Sequence, residues 1–285
     1  MTTPLTNVAS KQFSDTFINI YQAKTSLISN AVQVVRGIVG NAYEWKLIGA
    51  ADMEERGASQ SQVPATNVDH TPKTSSKKNY ILSTPTDIFD QSTVNASERT
   101  ALATVHANAM ARREDKFVID ALNASSGQLI VDGGTNMTLS KILTAATVLN
   151  TNNVDPGSRH MAVHANQLNA MLRIPEITDI DFNSIKALVN GEINTFMGFT
   201  WHIFGNRITP ALVNMGLPVT ANIRTCFAWH QSAAGMAYFI DPTVTIDWDP
   251  TRQSWLTISK MSGDGKALQD AGIVKIACDE TAGIS

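Results

Sequence analysis

The spacing of apolar positions predicts two amphipathic helices in the first half of the chain. Apolar residues recur at helical spacing over Asn7–Asn30, and a longer apolar stripe runs through Ser97–Ala124 with no Gly or Pro to interrupt it. Ser97 is suited to cap the second helix, and Glu98 lies in its first turn. At ~1.5 Å per residue this helix is roughly 40 Å long, so we expect it to span the molecule.

Strands and shorter helices are predicted along the rest of the chain. β-Branched runs and alternating apolar positions favour strands, while apolar residues at helical spacing favour helices. The predicted strands are Ala31–Gly40, Tyr43–Ile48, Asn79–Thr84, Arg159–His164, Phe199–Phe204, Cys226–Trp229, Met236–Ile240, Val244–Trp248, Trp255–Ser259 and Ile273–Cys278. The predicted shorter helices are Leu139–Leu149, Asn166–Leu172 and Asp181–Val189. This succession of elements indicates the α+β class.

One long polar segment interrupts this pattern. Gly57–Lys78 is polar for 22 residues, and its only sizeable apolar side chains are Val63 and Val68. Such a segment cannot build a core of its own, so it is either a disordered linker or an arm that becomes ordered against a partner. The flanking strands Tyr43–Ile48 and Asn79–Thr84 have the pattern of two legs of one extended hairpin, which favours the arm.

Composition narrows the class of protein. The 285 residues are 43% hydrophobic with a formal net charge of −3, which excludes a disordered chain and argues against binding nucleic acid by charge. The longest apolar run, about Ala233–Ile240, is far shorter than the ~20 residues that span a bilayer, and Met1–Ser10 is too polar for a signal peptide. Cys226 and Cys278 are too few for a disulfide framework and lack metal spacing.

No motif gives a strong indication of catalysis. His160 and His164 are four residues apart, which suits metal chelation on a helix, but they lack the Glu of HExxH and lie in a predicted strand. Asp179–Asn190 imitates an EF-hand loop without the required Gly at position six or the Glu at position twelve. Gly263–Lys266 is followed by Ala267 where a P-loop needs Ser or Thr. We therefore expect no enzyme and no cofactor.

Two groups of charged residues have alternative interpretations. The charge cluster in the middle of the long helix is either a solvated face, worth roughly 0–1 kcal/mol per pair, or a contact surface for a neighbouring copy. The lysines of the polar segment either keep a loop soluble or reach an acidic neighbour. The candidate inter-subunit contacts are Lys73, Lys77, Lys78, Arg112, Arg113, Glu114 and Asp115.

The order of these parts resembles the HK97-fold major capsid proteins of tailed phages. Residues 97–122 (SERTALATVHANAMARREDKFVIDAL) resemble the spine helix of that family, with the charge cluster in its middle. Three further segments are similar to family segments: VNGEINTFMGFTWHIFGNRITP at 189–210, FAWHQSAAGMAYFIDPTVTIDWDP at 227–250 and KMSGDGKALQDAGIVKIACDE at 260–280. The resemblance covers nearly the whole chain, and its specificity lies in the order of the segments.

The resemblance implies a domain plan. It assigns 1–42 to an N-arm and first strand, 43–84 to an extended β-hairpin or E-loop, 85–135 to a peripheral domain with the spine helix, 136–240 to an axial α/β domain, and 241–285 to return strands of the peripheral domain. The implied function is self-assembly into hexamers and pentamers of an icosahedral shell that encloses a double-stranded DNA genome. The implied location is the virion, with assembly in the cytoplasm of the host bacterium.

The resemblance also implies partners. These are many copies of the chain itself, a portal protein, an optional decoration protein and DNA held without sequence-specific binding, with no membrane. Because only some 30 residues precede the first predicted strand, we expect scaffolding by a separate protein. No Asn follows Asn222, so we expect no Lys–Asn crosslink to the C-terminal region. Two alternatives remain: an encapsulin-type compartment shell, and a metal-dependent enzyme that uses His160 and His164.

Overall fold

The computed structural model describes residues 25–57, 59, 67–89, 98–173, 195–207 and 214–281. Most of the predicted helix Asn7–Asn30, the predicted cap Ser97, the predicted helix Asp181–Val189 and the EF-hand-like loop lie outside these residues. The described part mixes helices with sheets, as the sequence predicts.

The first sheet has four strands in the order β1, β11, β12, β4. These strands are β1 (Gln33–Val35), β4 (Asn79–Asp87), β11 (Ala234–Asp249) and β12 (Ser254–Ala267). Strand β1 lies parallel to β11, whereas the other two pairs are antiparallel. Segments far apart in sequence therefore build one layer.

The long helix α1 (Glu98–Ala124) packs against this sheet, which confirms the predicted helix. Its buried side chains include Phe117, Val118 and Leu122. The sheet admits the helix closely because β12 carries Gly265, where a Cβ atom would lie 2.2 Å from the carbonyl oxygen of Phe117. The helix position therefore depends on the absence of a side chain at this strand residue.

The second sheet has seven strands. Six follow the order β5, β13, β10, β6, β8, β7, and β9 pairs with β10. The strands are β5 (Gln128–Ile130), β6 (Arg159–His164), β7 (Thr195–Phe196), β8 (Phe199–Phe204), β9 (Val219–Thr220), β10 (Ile223–His230) and β13 (Ile273–Asp279). Helix α2 (Leu139–Thr151) and helix α3 (Ala165–Leu172) belong to this half of the fold. Strands β6 and β8 have the bounds that the sequence predicts.

One cluster of buried apolar side chains connects the two sheets. It contains Met236 and Met261 from the four-stranded sheet together with Phe199 and Phe227 from the seven-stranded sheet. Trp229 is also fully buried in this cluster. Because the two sheets share this core, they form one packed unit in the described part of the chain.

A third, two-stranded sheet forms an arm, and it corrects the predicted hairpin. Strand β2 (Ala42–Ile48) pairs with β3 (His70–Ser76), so the prediction that Asn79–Thr84 is the returning leg is wrong. That segment instead belongs to β4 and pairs with β12. The polar sequence of β3 shows no alternation of apolar and polar residues. Its backbone N–H and C=O groups nevertheless pair with those of β2. Part of the predicted E-loop range 43–84 is thus a strand of the four-stranded sheet.

One further prediction needs correction. Met236–Ile240 and Val244–Trp248 form the single strand β11, whose register against β12 shifts around Ile240 instead of breaking. The final strand β13 lies between β5 and β10 in the seven-stranded sheet. The assignment of 241–285 to return strands of the peripheral domain stays a prediction.

Candidate functional site

The arm is anchored at its base by an aromatic side chain. Trp45 of β2 is 7% exposed and packs with Leu268 and Ala237. Its indole Nε1 donates a hydrogen bond to Ser75 Oγ across the arm at 2.9 Å. Gly235 of β11 leaves room for the ring, since a Cβ atom there would lie 2.8 Å from it. The base of the arm is therefore part of the folded body.

Lysines of the arm bind carboxylates of their own chain. Lys78 Nζ lies 2.8 Å from Asp264 Oδ1, and this hydrogen bond raises the pKa of Lys78. Lys73 Nζ lies 3.6 Å from Asp270 Oδ2, and the backbone N–H of Lys77 donates to the carbonyl of Asn41 at 2.9 Å. All three predicted contact lysines thus lie along the root of the arm. Two of their partners are aspartates: Asp264 lies within β12, and Asp270 follows that strand.

The outer part of the arm carries apolar side chains that the described chain does not cover. Ile48 at the end of β2 is 71% exposed, and Met53 just beyond it is 100% exposed. The arm remains closed at this point, because the backbone N–H of Gly49 donates to the carbonyl of Asp69 at 2.8 Å. A fixed base with exposed apolar residues at its outer end suits contact with another molecule.

Asp115 lies inside the subunit and not on its surface. Its carboxylate is fully buried and accepts hydrogen bonds from Ser26 Oγ at 2.6 Å, Leu27 N at 3.0 Å and Ile28 N at 3.2 Å. It also forms a buried ion pair with Arg207, which follows β8. The prediction of an inter-subunit contact is therefore wrong for Asp115, because its oxygens are already bound within its own chain.

We name residues 26–35 the strap, because this segment crosses the junction of the two sheets. Besides Asp115, it is held by Trp229 Nε1, which donates to the carbonyl of Ala31 at 2.9 Å, and by Gln231 Nε2, which donates to the carbonyl of Asn30 at 3.1 Å. Its last residues form β1. Residues 25–28 are not helical, which corrects the end of the predicted helix, because the N–H groups of Leu27 and Ile28 bond to Asp115 instead.

The other members of the charge cluster precede Asp115 on α1. The guanidinium of Arg113 lies 4.5 Å above the ring of Tyr80. Partial burial lowers the pKa of Arg112, with a smaller effect from Arg207, whereas burial raises the pKa of Glu114. The cluster is therefore divided: Asp115 is a structural anchor, while both arginines line a cavity beside α1.

The two histidines of the sequence motif do not converge on one point. His160 Nδ1 lies 3.1 Å from Nε2 of His202, while His164 Nε2 lies 3.0 Å from Oδ1 of Asn206. Burial, with smaller effects from His202 and His230, lowers the pKa of His160 to about 4. Among the described residues no group of three His, Cys, Asp or Glu side chains has the geometry of a metal site.

The remaining sequence candidates are structural. Gly263–Lys266 lies within strand β12 and not in a phosphate-binding loop. Cys226 and Cys278 are both buried as free thiols. Within the described residues, no helix has the length and apolar content needed to cross a membrane.

The strap and its anchor are what the sequence analysis missed. A signal for them exists, because Asp115 is three residues before Val118 and seven before Leu122, which places it on the apolar stripe of α1. A carboxylate on a buried helix face needs hydrogen-bond donors and a cation. No comparable local signal identifies Arg207 or Leu27 as those partners.

The chain is similar to known capsid proteins. A family model described as phage capsid protein matches residues 5–280. A solved structure from Mycobacterium phage Che8 is 21% identical, with a TM-score of 0.74 over 96% of this chain and 98% of that chain. The acidic stable capsid of Helicobacter pylori bacteriophage KHP30 is 11% identical, with a TM-score of 0.76 over 98% of each chain. No curated protein sequence matches the chain. At these identities the structural matches establish the fold.

Proposed function

The chain belongs to the phage capsid protein family and is a major capsid protein of a phage shell; we propose that its copies form the hexamers and pentamers of an icosahedral shell around double-stranded DNA. The similarity to HK97-like capsids, expected from the order of segments, is confirmed by these matches. The protein is thus a structural component of the virion. Portal, scaffolding and decoration proteins are partners that the family resemblance implies.

The arm is the observation that supports assembly through neighbouring copies. Trp45 and the Lys78–Asp264 pair fix its base, whereas Met53 near its outer end is fully exposed. A single subunit gains no burial from an apolar side chain held away from its core. A neighbouring subunit that covers this part of the arm removes the exposed apolar surface from water, which favours association.

The strap holds the two sheets of the subunit together, which supports the rigidity that a shell subunit needs. A subunit that forms many copies of the same contact needs its two sheets in a fixed relative orientation. The buried Asp115–Arg207 pair and the strap hydrogen bonds link α1, β1 and the seven-stranded sheet. The proposed function therefore places assembly at the arm and rigidity at the strap.

The charge of the chain is consistent with a shell that encloses DNA. A formal net charge of −3 provides little general attraction to phosphate, because that attraction grows with the number of Lys and Arg residues that contact phosphates. DNA that is packaged and later released must not adhere to the inner wall. We therefore infer enclosure of DNA without sequence-specific recognition.

Composition analysis of purified virions tests this proposal. Particles banded in a density gradient are treated with nuclease, then analysed by gel electrophoresis, mass spectrometry and electron microscopy. We expect this 30.8 kDa chain to be the most abundant protein of icosahedral particles that protect DNA. Its absence from the particles contradicts the proposal. Shells that contain this chain with a cargo enzyme but no DNA indicate the encapsulin-type alternative.

A further inference from the structure

Two free thiols are neighbours inside the seven-stranded sheet. In the antiparallel pair of β10 and β13, Cys226 lies opposite Ile276, and Cys278 lies opposite Arg224. Because side chains alternate between the faces of a strand, the two cysteines are diagonal neighbours on one face. Both side chains are fully buried, and their thiols hydrogen-bond to each other. The pair is a set of soft ligands that shell assembly does not use.

The spacing of the two thiols suits a bridging ion better than a disulfide. Diagonal neighbours on antiparallel strands have Cα atoms ~7–8 Å apart. A disulfide joins Cα atoms that are at most ~6.8 Å apart and holds its sulfurs about 2.05 Å from each other. A metal ion with sulfur bonds of about 2.3 Å holds two sulfurs roughly 4.6 Å apart when it lies between them. This wider gap fits the diagonal without movement of either strand.

A buried ammonium group lies beside the thiols. Lys141 of α2 is 7% exposed. Its Nζ donates to the carbonyls of Thr135, Asn136 and Ala277 at 2.8, 3.0 and 3.0 Å. These three hydrogen bonds are the full donor capacity of a charged lysine. Since Ala277 directly precedes Cys278, the cation is held against the same part of β13.

The charge of Lys141 lacks a carboxylate in direct contact. Within the described ranges, no acidic side chain forms an ion pair with its Nζ. Asp132 and Asp279 act on it from further away. Glu280 is already paired with Arg224. A buried charge without a counter-ion is costly, so this part of the core favours a group with one negative charge next to the lysine.

We propose that Cys226 and Cys278 bind one copper(I) ion in linear two-coordinate geometry, with Lys141 as the counter-charge. Soft thiolates select copper(I). A copper(I) ion with two thiolates carries one net negative charge, which matches the ammonium group. Binding replaces the two S–H protons, which leave to solvent, and no electron is transferred. The ion joins β10 to β13 within one subunit, so the proposal does not depend on shell assembly.

The position of the pair gives an ion a route of entry. Cys278 is next to Asp279, the last residue of β13, and Thr281 beyond it is exposed. Strand ends open locally at a small cost in free energy, so the sulfurs become accessible from this end. A reducing compartment keeps both thiols free, and it also keeps copper in the monovalent state.

Competition with a copper(I) chelator measures the binding. The full chain is purified metal-free under reducing conditions and titrated against the coloured copper(I) complex of bathocuproine disulfonate. We expect one copper ion to transfer to each chain, and X-ray absorption should show sulfur ligands only. Cys226→Ser and Cys278→Ser should each lower the affinity at least about a hundredfold, because each removes a direct ligand and not an outer partner.

Lys141→Met tests the counter-charge separately. The variant keeps the length of the side chain but removes its charge, so we expect about tenfold weaker binding of copper(I). Mercury(II) with two thiolates is neutral, so its affinity should stay the same in this variant. A variant that loses its fold would bind both ions poorly, so the contrast remains informative. Equal copper(I) affinity in Lys141→Met and the unmodified chain overturns the assigned role of the lysine.

The histidine pair supplies the matched control. The facing nitrogens of His160 and His202 lie 3.1 Å apart and are the other neighbouring pair of metal-ligand side chains in this sheet that the sequence motif pointed to. His160→Gln should bind copper(I) as tightly as the unmodified chain. Copper that Cys226→Ser binds equally well is adventitious, and this result overturns the proposal. X-ray absorption that shows nitrogen ligands overturns it as well.

Discussion

Replacement of Asp115 with Ala removes the anchor of the strap. The carboxylate is fully buried on α1, and it binds Ser26, two backbone N–H groups of the strap and the guanidinium of Arg207. In the variant, Arg207 keeps its charge in a buried position without a counter-ion. The N–H groups of Leu27 and Ile28 lose their acceptor at the same time.

The expected cost is large compared with the stability of a domain. Removal of one partner from a buried ion pair costs about 3–5 kcal/mol, because the remaining charge stays desolvated. Each orphaned buried donor adds about 1–3 kcal/mol, although water that enters the space left by the side chain offsets part of this. We therefore expect Asp115→Ala to lower the free energy of unfolding by about 4 kcal/mol, out of a typical 5–15 kcal/mol.

Urea denaturation followed by tryptophan fluorescence measures this change. Trp229 is a suitable probe because its Nε1 donates to Ala31 within the strap. The matched control is Asp120→Ala on the same helix, which removes an exposed carboxylate from its pair with the half-buried Lys116 and is expected to cost at most about 1 kcal/mol. A double variant with Arg207→Met removes the unpaired cation, so it should be more stable than Asp115→Ala alone.

Equal costs for Asp115→Ala and Asp120→Ala contradict the assignment of Asp115 as a buried anchor. A double variant that is less stable than Asp115→Ala by the full cost of Arg207→Met contradicts the coupling of the two charges.

Three further predictions concern the arm, the helix contact and pH. Deletion of 50–68, with a short Gly-Ser turn in its place, should change the free energy of unfolding by at most about 0.5 kcal/mol relative to the unmodified chain. The same deletion should prevent stable shells in electron micrographs, and intact shells contradict this. Gly265→Ala places a methyl group against the Phe117 carbonyl and should cost about 3 kcal/mol in urea denaturation, whereas Gly205→Ala, with open space around it, should be nearly neutral. Burial lowers the pKa of His160 to about 4, so the folded state favours the neutral imidazole. The stability that this histidine contributes is therefore present above pH 6.5 and is lost as the pH falls. Between pH 7 and pH 5 the free energy of unfolding should fall by about 2 kcal/mol more in the unmodified chain than in the His160→Gln variant. Equal losses in urea denaturation at the two pH values refute this.

The deletion spares the end of the polar segment Gly57–Lys78, because that part contains β3. Removal of Gly57–Lys78 would take away β3, and with it Ser75, the hydrogen-bond partner of Trp45. That loss exposes the base of the arm and destabilises the subunit itself. The structure thus restricts the test to residues beyond the paired strands.

Local periodicity predicted the elements that pack one regular face against a core. Helix α1 and strands β6 and β8 agree with their predicted bounds because their own side chains carry the pattern. The returning leg of the arm was missed because His70–Ser76 is polar and is a strand only through the backbone of β2. A strand of this kind has no signal in its own sequence.

Long-range pairings could not be predicted from local patterns. The place of β13 between β5 and β10 depends on segments about 50 and 145 residues away, which no short window includes. Asp115 was recognised as part of a charge cluster, but its burial follows from its position on the apolar stripe of α1. The family resemblance supplied the overall architecture, while these contacts became known only from the structure.

Cryo-electron microscopy of the assembled shell tests whether the arm connects neighbouring copies. We expect capsomers of this chain in which the arm leaves its own subunit and Met53 lies against a neighbour, with the strap bound to Asp115 in every copy. Capsomers in which the arm contacts only its own subunit, or particles that lack this chain, contradict the proposed assembly.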